Sequence, residues 1–138
     1  MILLDTNMVG EVMRPRPEQA VIDWLNEAKG GALYLSAVTL GEIEYGLAIL
    51  PDGQRRDPLR ARFDAFVHRA FGERVLPYDE QAAQHYGSIM GARRRAGRPT
   101  TAPDGQIAAI ASLRGMTVAT RNTRDFADCG VDVINPWA

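Results

Sequence analysis

Short apolar runs alternate with longer segments of helical periodicity along this chain. Five runs have the composition of strands, the third being the weakest: residues 2–5 (ILLD), 32–36 (ALYLS), 74–77 (RVLP), 117–120 (TVAT) and 131–135 (VDVIN). Five segments between them predict helices: residues 17–28, 37–50, 57–72, 79–97 and 103–115. Strands that alternate with helices favour a parallel sheet covered on both faces. The pattern therefore predicts an α/β fold of three layers, with a mainly parallel central sheet flanked by helices.

Local signals support these helices. Pro17 stands in a first-turn position, and the glycines of KGG (29–31) provide an end for the same helix. From Leu40 onward, apolar side chains recur at intervals of three and four residues, as on one face of a helix. We expect Trp24 and the segment 45–47 to belong to the core.

Composition narrows the class of protein. The chain has 138 residues with no internal repeat or linker, which indicates a single domain spanning residues 1–138. Its apolar runs are far shorter than the ~20 residues that cross a bilayer, so we expect no membrane association, no secretory signal and a cytoplasmic location. The single cysteine, Cys129, agrees with a reducing compartment. The net charge of −1 provides no global basic field that would indicate nucleic-acid binding.

Polar residues follow three of the predicted strands. The motif DTN (5–7) follows the first strand, Ser36 ends the second, and TRN (120–122) follows the fourth. Ligands of open α/β sheets bind at the carboxyl ends of the strands, so acids near this edge are candidates for a site. Asp104, at a helix start, and Asp125 are two further candidates. Each acid also has an ordinary explanation as a helix cap, a favourable charge at a helix start or a loop residue.

Taken together, these acids predict a metal site. Crowded carboxylates repel one another unless a hard cation neutralises them, and Mg²⁺ or Mn²⁺ prefers oxygen ligands. One or two such ions can polarise a phosphodiester, generate hydroxide from water and stabilise the leaving oxygen. This chemistry is typical of nucleases.

Four motifs, in their order and spacing, resemble those of the PIN-domain ribonucleases, particularly the VapC-type and FitB-like toxins of bacterial toxin–antitoxin pairs. They are MILLDTN (1–7), LSAVTLGEIEYG (35–46), TAPDGQIAAIA (101–111) and VATRNTRDF (118–126), and the likeness continues to the closing VINPW (133–137). The resemblance implies a PIN-like fold and Mg²⁺- or Mn²⁺-dependent cleavage of RNA. It also implies a cognate antitoxin of the VapB or FitA type bound in a groove of the first helices, and a homodimer or a hetero-oligomer with that antitoxin.

The resemblance also assigns site residues one by one. It implies that Asp5 and Asp104 bind the metal most directly. It selects Glu42 as the third acid, although periodicity alone would place Glu44 nearer the apolar stripe. Three polar residues match supporting positions of the family: Thr6, Asn7 and Thr120.

The fourth acid is a choice between two positions. Some relatives carry an aspartate where this chain has Asn122, whereas many VapC-type members read T-x-N-x-x-[DE]-F, as TRNTRDF does. An amide oxygen can ligate a cation but cannot take up a proton. We therefore predict that Asp125 supplies the charge and that Asn122 supports it. In the implied mechanism, a metal-activated water attacks the phosphorus in line and a carboxylate accepts its proton.

A basic cluster precedes the helix that carries Asp104. Its arginines are candidates for binding the RNA backbone, since a guanidinium pairs well with phosphate: Arg93, Arg94, Arg95 and Arg98. The same cluster is equally typical of a basic helix end that favours the helix dipole.

Three other functions remain open from the residues. An aspartyl phosphoacceptor also places an aspartate after its first parallel strand, but DTN lacks the second acid of a phosphatase and TRN lacks the late lysine of a receiver domain. A non-catalytic RNA-binding or regulatory module would be expected to have lost acids, yet all four positions are filled here. A PIN-fold nuclease that processes RNA without a toxin role is the third alternative.

Overall fold

The computed structural model describes residues 1–28, 32–53 and 55–138. Within these ranges the strands are β1 (Ile2–Leu4), β2 (Leu33–Ser36), β3 (Val75–Leu76), β4 (Thr117–Ala119) and β5 (Val133–Ile134). The helices are α1 (Thr6–Val12), α2 (Gln19–Glu27), α3 (Ala37–Ala48), α4 (Arg56–Ala70), α5 (Glu80–Arg95), α6 (Ala102–Arg114) and α7 (Thr123–Phe126). The KGG stretch that was predicted to end the second of these helices lies outside the described residues.

The five strands form one parallel sheet in the order β3-β2-β1-β4-β5. β1 is central, with Leu3 opposite Tyr34 on one side and Val118 on the other. Because all strands run in one direction, their carboxyl ends meet at the same edge. The predicted α/β fold with a parallel sheet is confirmed, and the motifs after β1, β2 and β4 come together.

Two apolar clusters cover the two faces of the sheet. Successive residues of a strand point to opposite faces, and Leu3 and Val118 accordingly belong to one cluster while Leu4 and Ala119 belong to the other. All four are fully buried. Burying one leucine side chain stabilises the fold by roughly 1.5–3 kcal/mol. Helices therefore lie on both faces, as the alternation of elements predicts.

Two helices are absent from the sequence prediction. α1 begins directly after β1 and is only seven residues long, and α7 is a single turn. Helices this short show little periodicity and are marginal by themselves. Both depend on tertiary packing, because Met8 and Val9 of α1 and Phe126 of α7 are completely buried.

The expected core membership of the segment 45–47 is partly wrong. Leu47 is buried, but Tyr45 is 69% exposed, and Ile49 beyond it is 64% exposed. Trp24 is half-buried against the cluster that contains Leu4. In the described part of the chain, none of the helices is both long and apolar enough to cross a membrane.

Candidate active site

Asp5 is buried where β1 ends. Its backbone is extended, and its amide donates a hydrogen bond of 2.9 Å to the carbonyl of Ala119, so it continues the pairing of β1 with β4. The chain then turns into α1, and the Asp5 Oδ1 accepts a hydrogen bond of 2.7 Å from the Thr6 amide. Asp5 is therefore a helix cap as well as an acid at the sheet edge, and its capping role leaves it a candidate for the site.

Thr120 fixes the second oxygen of the Asp5 carboxylate. Its hydroxyl donates to the Asp5 Oδ2 at 2.8 Å and accepts from the Asn122 amide at 2.9 Å. The Asn7 side chain donates to the same hydroxyl at 3.3 Å, and its Oδ1 accepts from the Arg121 amide at 3.4 Å. Thr120 is completely buried. The motifs that follow β1 and β4 are thus joined through side chains as well as through the sheet.

Glu42 reaches this network from α3. The Thr6 hydroxyl donates to the Glu42 Oε1 at 2.5 Å. Since that hydroxyl has one hydrogen, the 3.1 Å contact between Thr6 Oγ1 and Thr39 Oγ1 requires Thr39 to be the donor. Ser36 caps α3 by accepting from the Thr39 amide and donates to the Thr39 hydroxyl at 3.3 Å. A chain of hydroxyl groups therefore runs from the end of β2 to the Glu42 carboxylate.

Glu44 is directed elsewhere. Its carboxylate accepts two hydrogen bonds from the Arg60 guanidinium of α4, at 2.7 and 2.8 Å. Periodicity favoured Glu44 over Glu42 as the residue nearer the apolar stripe, and this argument is wrong because both side chains are exposed. The two differ in their partners: Glu42 binds Thr6 at the site, and Glu44 binds Arg60 away from it. Thr39 is a buried polar residue at this site that sequence reasoning missed. Its position three residues after a capping serine is the only local signal for it.

Asp104 lies in the first turn of α6 and is half-buried. Thr101 caps this helix, since its hydroxyl accepts a hydrogen bond of 3.3 Å from the Asp104 amide. Gly105 follows, and a side chain there would collide with Met90 of α5. Small size at this position lets α5 pack tightly against the turn that carries Asp104.

Asp125 lies on α7, in the turn that Asn122 precedes. The Asn122 carbonyl accepts a 3.0 Å hydrogen bond from the Asp125 amide, while the Asn122 side chain is exposed and forms no cap. Asp125 is half-buried, and its negative charge contributes to raising the pKa of Asp104. The structure thus brings Asp125 into the electrostatic range of the other acids.

The pKa of Asp5 is raised to about 6. Burial is the largest cause, because desolvation disfavours the ionised form. Hydrogen bonds from Thr120 and Thr6 act in the opposite direction, and the charges of Asp104 and Glu42 raise the pKa further.

The pKa of Asp104 is also raised, first by burial and then by the charges of Asp125 and Glu42, against a lowering by the Thr101 hydrogen bond. The charges of Glu42, Asp104 and Asp125 thus each raise the pKa of Asp5 or of Asp104, which places the four acids predicted from the sequence in one region of negative charge.

A hard divalent cation fits this cluster by the chemistry of its donors. All four groups are carboxylates, and their repulsion is compensated only in part by hydrogen bonds. Among the described residues, however, no group of three or more His, Cys, Asp or Glu side chains is already arranged to hold a metal ion. Binding would therefore require the side chains to draw together around the ion.

The predicted role of Arg93 in binding RNA is wrong. Its side chain is buried, and its guanidinium donates to the carbonyls of Ala127 and, at 3.4 Å, Arg124. It also lies 3.8 Å from the Cys129 sulfur. These carbonyls flank Asp125, so Arg93 ties α5 to the segment that carries the fourth acid. Successive helical residues point in directions about 100° apart, and nothing in a run of three arginines shows which one faces inward.

The other three arginines of that cluster lie on the surface. Arg94 and Arg95 are exposed, and exposed Arg98 forms an ion pair of 2.7 Å with Asp128. Their predicted part in binding RNA stays a prediction.

We expect Arg93→Ala to lower the free energy of unfolding by about 2–4 kcal/mol, because it leaves buried carbonyl groups without their charged donor. Arg94→Ala is the matched control, since it removes the neighbouring arginine from the exposed face of the same helix, and it should change stability by no more than about 0.5 kcal/mol. Urea unfolding of both variants measures this. Equal losses would contradict the structural role of Arg93.

The raised pKa of Asp5 predicts a pH-dependent stability. Between the ordinary value of 3.8 and the folded value of about 6, the folded state keeps a proton that the unfolded chain has released. The free energy of unfolding therefore falls as pH rises through this window. Asp5→Asn abolishes that loss, so the metal-free variant should match the wild type near pH 4 and exceed it by about 2–3 kcal/mol at pH 7. Urea unfolding across this range measures the difference, and a difference independent of pH would refute the assignment.

Comparison with known proteins places this geometry in a family. Residues 2–131 match the family described as PIN domain. The chain is 41% identical to the VapC ribonuclease Y4jK of Sinorhizobium fredii over 137 residues, which is 99% of this chain and 98% of that protein. It is 40% identical to the toxin FitB of Neisseria gonorrhoeae over 137 residues, 99% of each chain.

A solved structure supports the same grouping. The crystal structure of FitAcB from Neisseria gonorrhoeae contains a chain that superposes with a TM-score of 0.92 at 40% identity, covering 99% of each chain. The family match extends from the first residue of β1 to two residues before β5, and the resemblance seen in the four motifs is confirmed. This chain belongs to the PIN-domain family.

Proposed function

We propose that this chain is a metal-dependent endoribonuclease that acts as the toxin of a toxin–antitoxin pair. The observation that carries the proposal is the set of four acids near the carboxyl edge of the sheet: Asp5 and Glu42 are joined through Thr6, and the charges of Glu42, Asp104 and Asp125 act on Asp5 or Asp104. The similarity to the relatives named VapC ribonuclease and toxin FitB extends over nearly the whole length of those proteins. An RNA-cleaving hydrolase is the activity that accounts for both.

Each acid has a place in the proposed reaction. Asp5 and Asp104 would hold Mg²⁺ or Mn²⁺, with Glu42 and Asp125 completing the ligands. When bound, such an ion would polarise the scissile phosphate and lower the pKa of an attacking water. Thr6 and Thr120 orient their carboxylates by donating hydrogen bonds to them. Glu42 is the most exposed of the four acids and is the best placed to accept the proton of the water.

The phosphoacceptor alternative loses support from the same geometry. Asp5 is buried, and both of its oxygens already accept hydrogen bonds from Thr6 and Thr120. A carboxylate that attacks phosphorus must be reached by a bulky phosphoryl donor, which burial hinders, whereas each oxygen keeps a second lone pair that a small cation can use. The arrangement is better suited to holding a cation than to forming an acyl phosphate.

An antitoxin is the proposed protein partner. A groove of about 510 Å³ lies between α1, α3 and α4, and its lining includes Met13, Ile43 and Leu50. Glu42 also borders this groove, so a segment bound there would lie against the acid cluster. In the solved structure of FitAB bound to a DNA fragment, one chain superposes on the whole of this chain with a TM-score of 0.93.

Glu42 and Glu44 provide a matched test of the nuclease proposal. Glu42→Gln should lower the rate of Mg²⁺- or Mn²⁺-dependent RNA cleavage by about 100-fold or more, because it removes a charge from the cluster and the expected proton acceptor. Glu44→Gln makes the same chemical change two residues away and breaks only a surface ion pair with Arg60, so its activity should stay near that of the wild type. Cleavage of labelled RNA under single-turnover conditions measures both. Equal rates for Glu42→Gln and the wild type would sink the mechanism.

Substitutions at Asp125 and Asn122 test which of the two residues supplies the fourth acidic position. Asp125→Asn should reduce both Mn²⁺ affinity and cleavage far more than Asn122→Ala does, because only Asp125 adds charge to the field around Asp104. Isothermal titration with Mn²⁺ and the same cleavage assay measure the two effects. If Asn122→Ala proves the more damaging substitution, the assignment of Asp125 is refuted.

A further inference from the structure

Arg121 is an exposed arginine in the segment that follows β4, one residue after Thr120. The Thr120 hydroxyl binds Asp5. Within the ranges that the structure describes, no carboxylate lies within 4.0 Å of its guanidinium. The guanidinium instead lies over the ring of Trp137, with 5.4 Å between the guanidinium carbon and the ring centroid. An arginine one residue after Thr120 is thus held by an aromatic ring rather than by one of the described carboxylates.

The backbone that carries Arg121 is fixed on both sides. The Thr120 amide donates 2.9 Å to the carbonyl of Ile134, and the Arg121 amide donates 3.4 Å to the Asn7 side chain. The Asn122 amide is held by the Thr120 hydroxyl at 2.9 Å. The backbone from which the Arg121 side chain extends is therefore set by the same hydrogen bonds that organise the site.

The aromatic partner is also anchored. Trp137 is half-buried against the core cluster that contains Leu4, and its amide donates 2.9 Å to the Asn135 side chain. Its indole N–H is buried beside the Glu11 carboxylate without a well-aligned hydrogen bond, and it contributes to lowering the pKa of Glu11. The indole presents one face to Arg121 from a position that packing maintains.

The contact with Trp137 leaves the charge of Arg121 available to a ligand. The side chain is exposed, and a guanidinium has five N–H donors, two of which can form parallel hydrogen bonds to a phosphate while the cation lies over an aromatic ring. A site built from four carboxylates repels a polyanion, so a substrate needs a positive contact close by. Arg121 has the charge and the exposure for that contact, and its backbone is held by Asn7, two residues after Asp5.

We propose that Arg121, held against Trp137, binds a phosphate of the RNA substrate next to the scissile one. This inference rests on the proposed nuclease function. It assigns the last residues of the chain a part in binding RNA, through the platform that Trp137 provides. Arg121 is a substrate-binding residue in this scheme, and Trp137 is a positioning residue that acts through it.

The test compares Arg121→Gln with Arg114→Gln, which makes the same change at an exposed arginine at the opposite end of α6 from Asp104. Arg121→Gln should raise the KM for RNA cleavage by about tenfold with a much smaller change in kcat, as expected for a lost charge-assisted contact. Arg121→Lys should recover part of the affinity, and Trp137→Leu should raise KM in the same direction. Arg114→Gln should behave as the wild type. Mn²⁺ affinity should be unchanged in both glutamine variants, which excludes a collapsed metal site.

A binding measurement identifies the contact as a phosphate. In the Glu42→Gln background, which separates binding from cleavage, the probe is a fluorescein-labelled single-stranded RNA oligonucleotide of mixed sequence. Loss of one phosphate contact should make the slope of log K against log salt shallower by about 0.7 for Arg121→Gln.

Failure of the proposed nuclease function and failure of the Arg121 inference would give different results. If the wild type does not cleave RNA in the presence of Mg²⁺ or Mn²⁺, the proposed nuclease function fails. If the wild type cleaves RNA but Arg121→Gln and Arg114→Gln have the same KM and the same salt slope, the Arg121 inference is overturned. An effect of Arg121→Gln confined to binding of the antitoxin would overturn it as well.

Discussion

The buried carboxylate of Asp5 is the constraint on which the rest of the site depends. Its two oxygens are held by the Thr6 amide and the Thr120 hydroxyl, which belong to segments that follow β1 and β4. A slip of one residue in the pairing of these strands would turn Asp5 to the other face and part it from Thr120. Because β1 is central and pairs on both sides, the sheet between the two apolar clusters also fixes the position of this acid.

Charge and stability oppose each other at this edge. Burial and neighbouring acids raise the pKa of Asp5 and Asp104, so keeping both ionised at neutral pH costs free energy. Apolar clusters on both faces of the sheet offset that cost. The groups that donate hydrogen bonds to Asp5 and Glu42 are uncharged, so they orient the acids without neutralising them. The remaining negative charge repels a polyanionic substrate. A bound cation and Arg121 are the two features that we propose overcome this repulsion.

Three arginines show how one residue type serves different ends in this fold. Arg93 is buried and joins α5 to the segment of Asp125, Arg60 forms an exposed ion pair, and Arg121 lies over an aromatic ring. The abundance of arginine in the composition does not separate these roles. The distinction depends on which face of an element each side chain occupies and on what packs against that face.

The sequence by itself determined the class of fold, because alternating apolar periodicity encodes a covered parallel sheet. Positions at strand ends and helix starts made Asp5, Asp104 and Asp125 candidates, and the resemblance to the PIN-domain family added Glu42. Periodicity misjudged Glu44 against Glu42, and α1 and α7 were not visible in it. Only the tertiary structure decided that Arg93 is internal and that Thr39 completes a chain of hydroxyls. These outcomes depend on contacts between residues far apart in the chain, which local propensity does not contain.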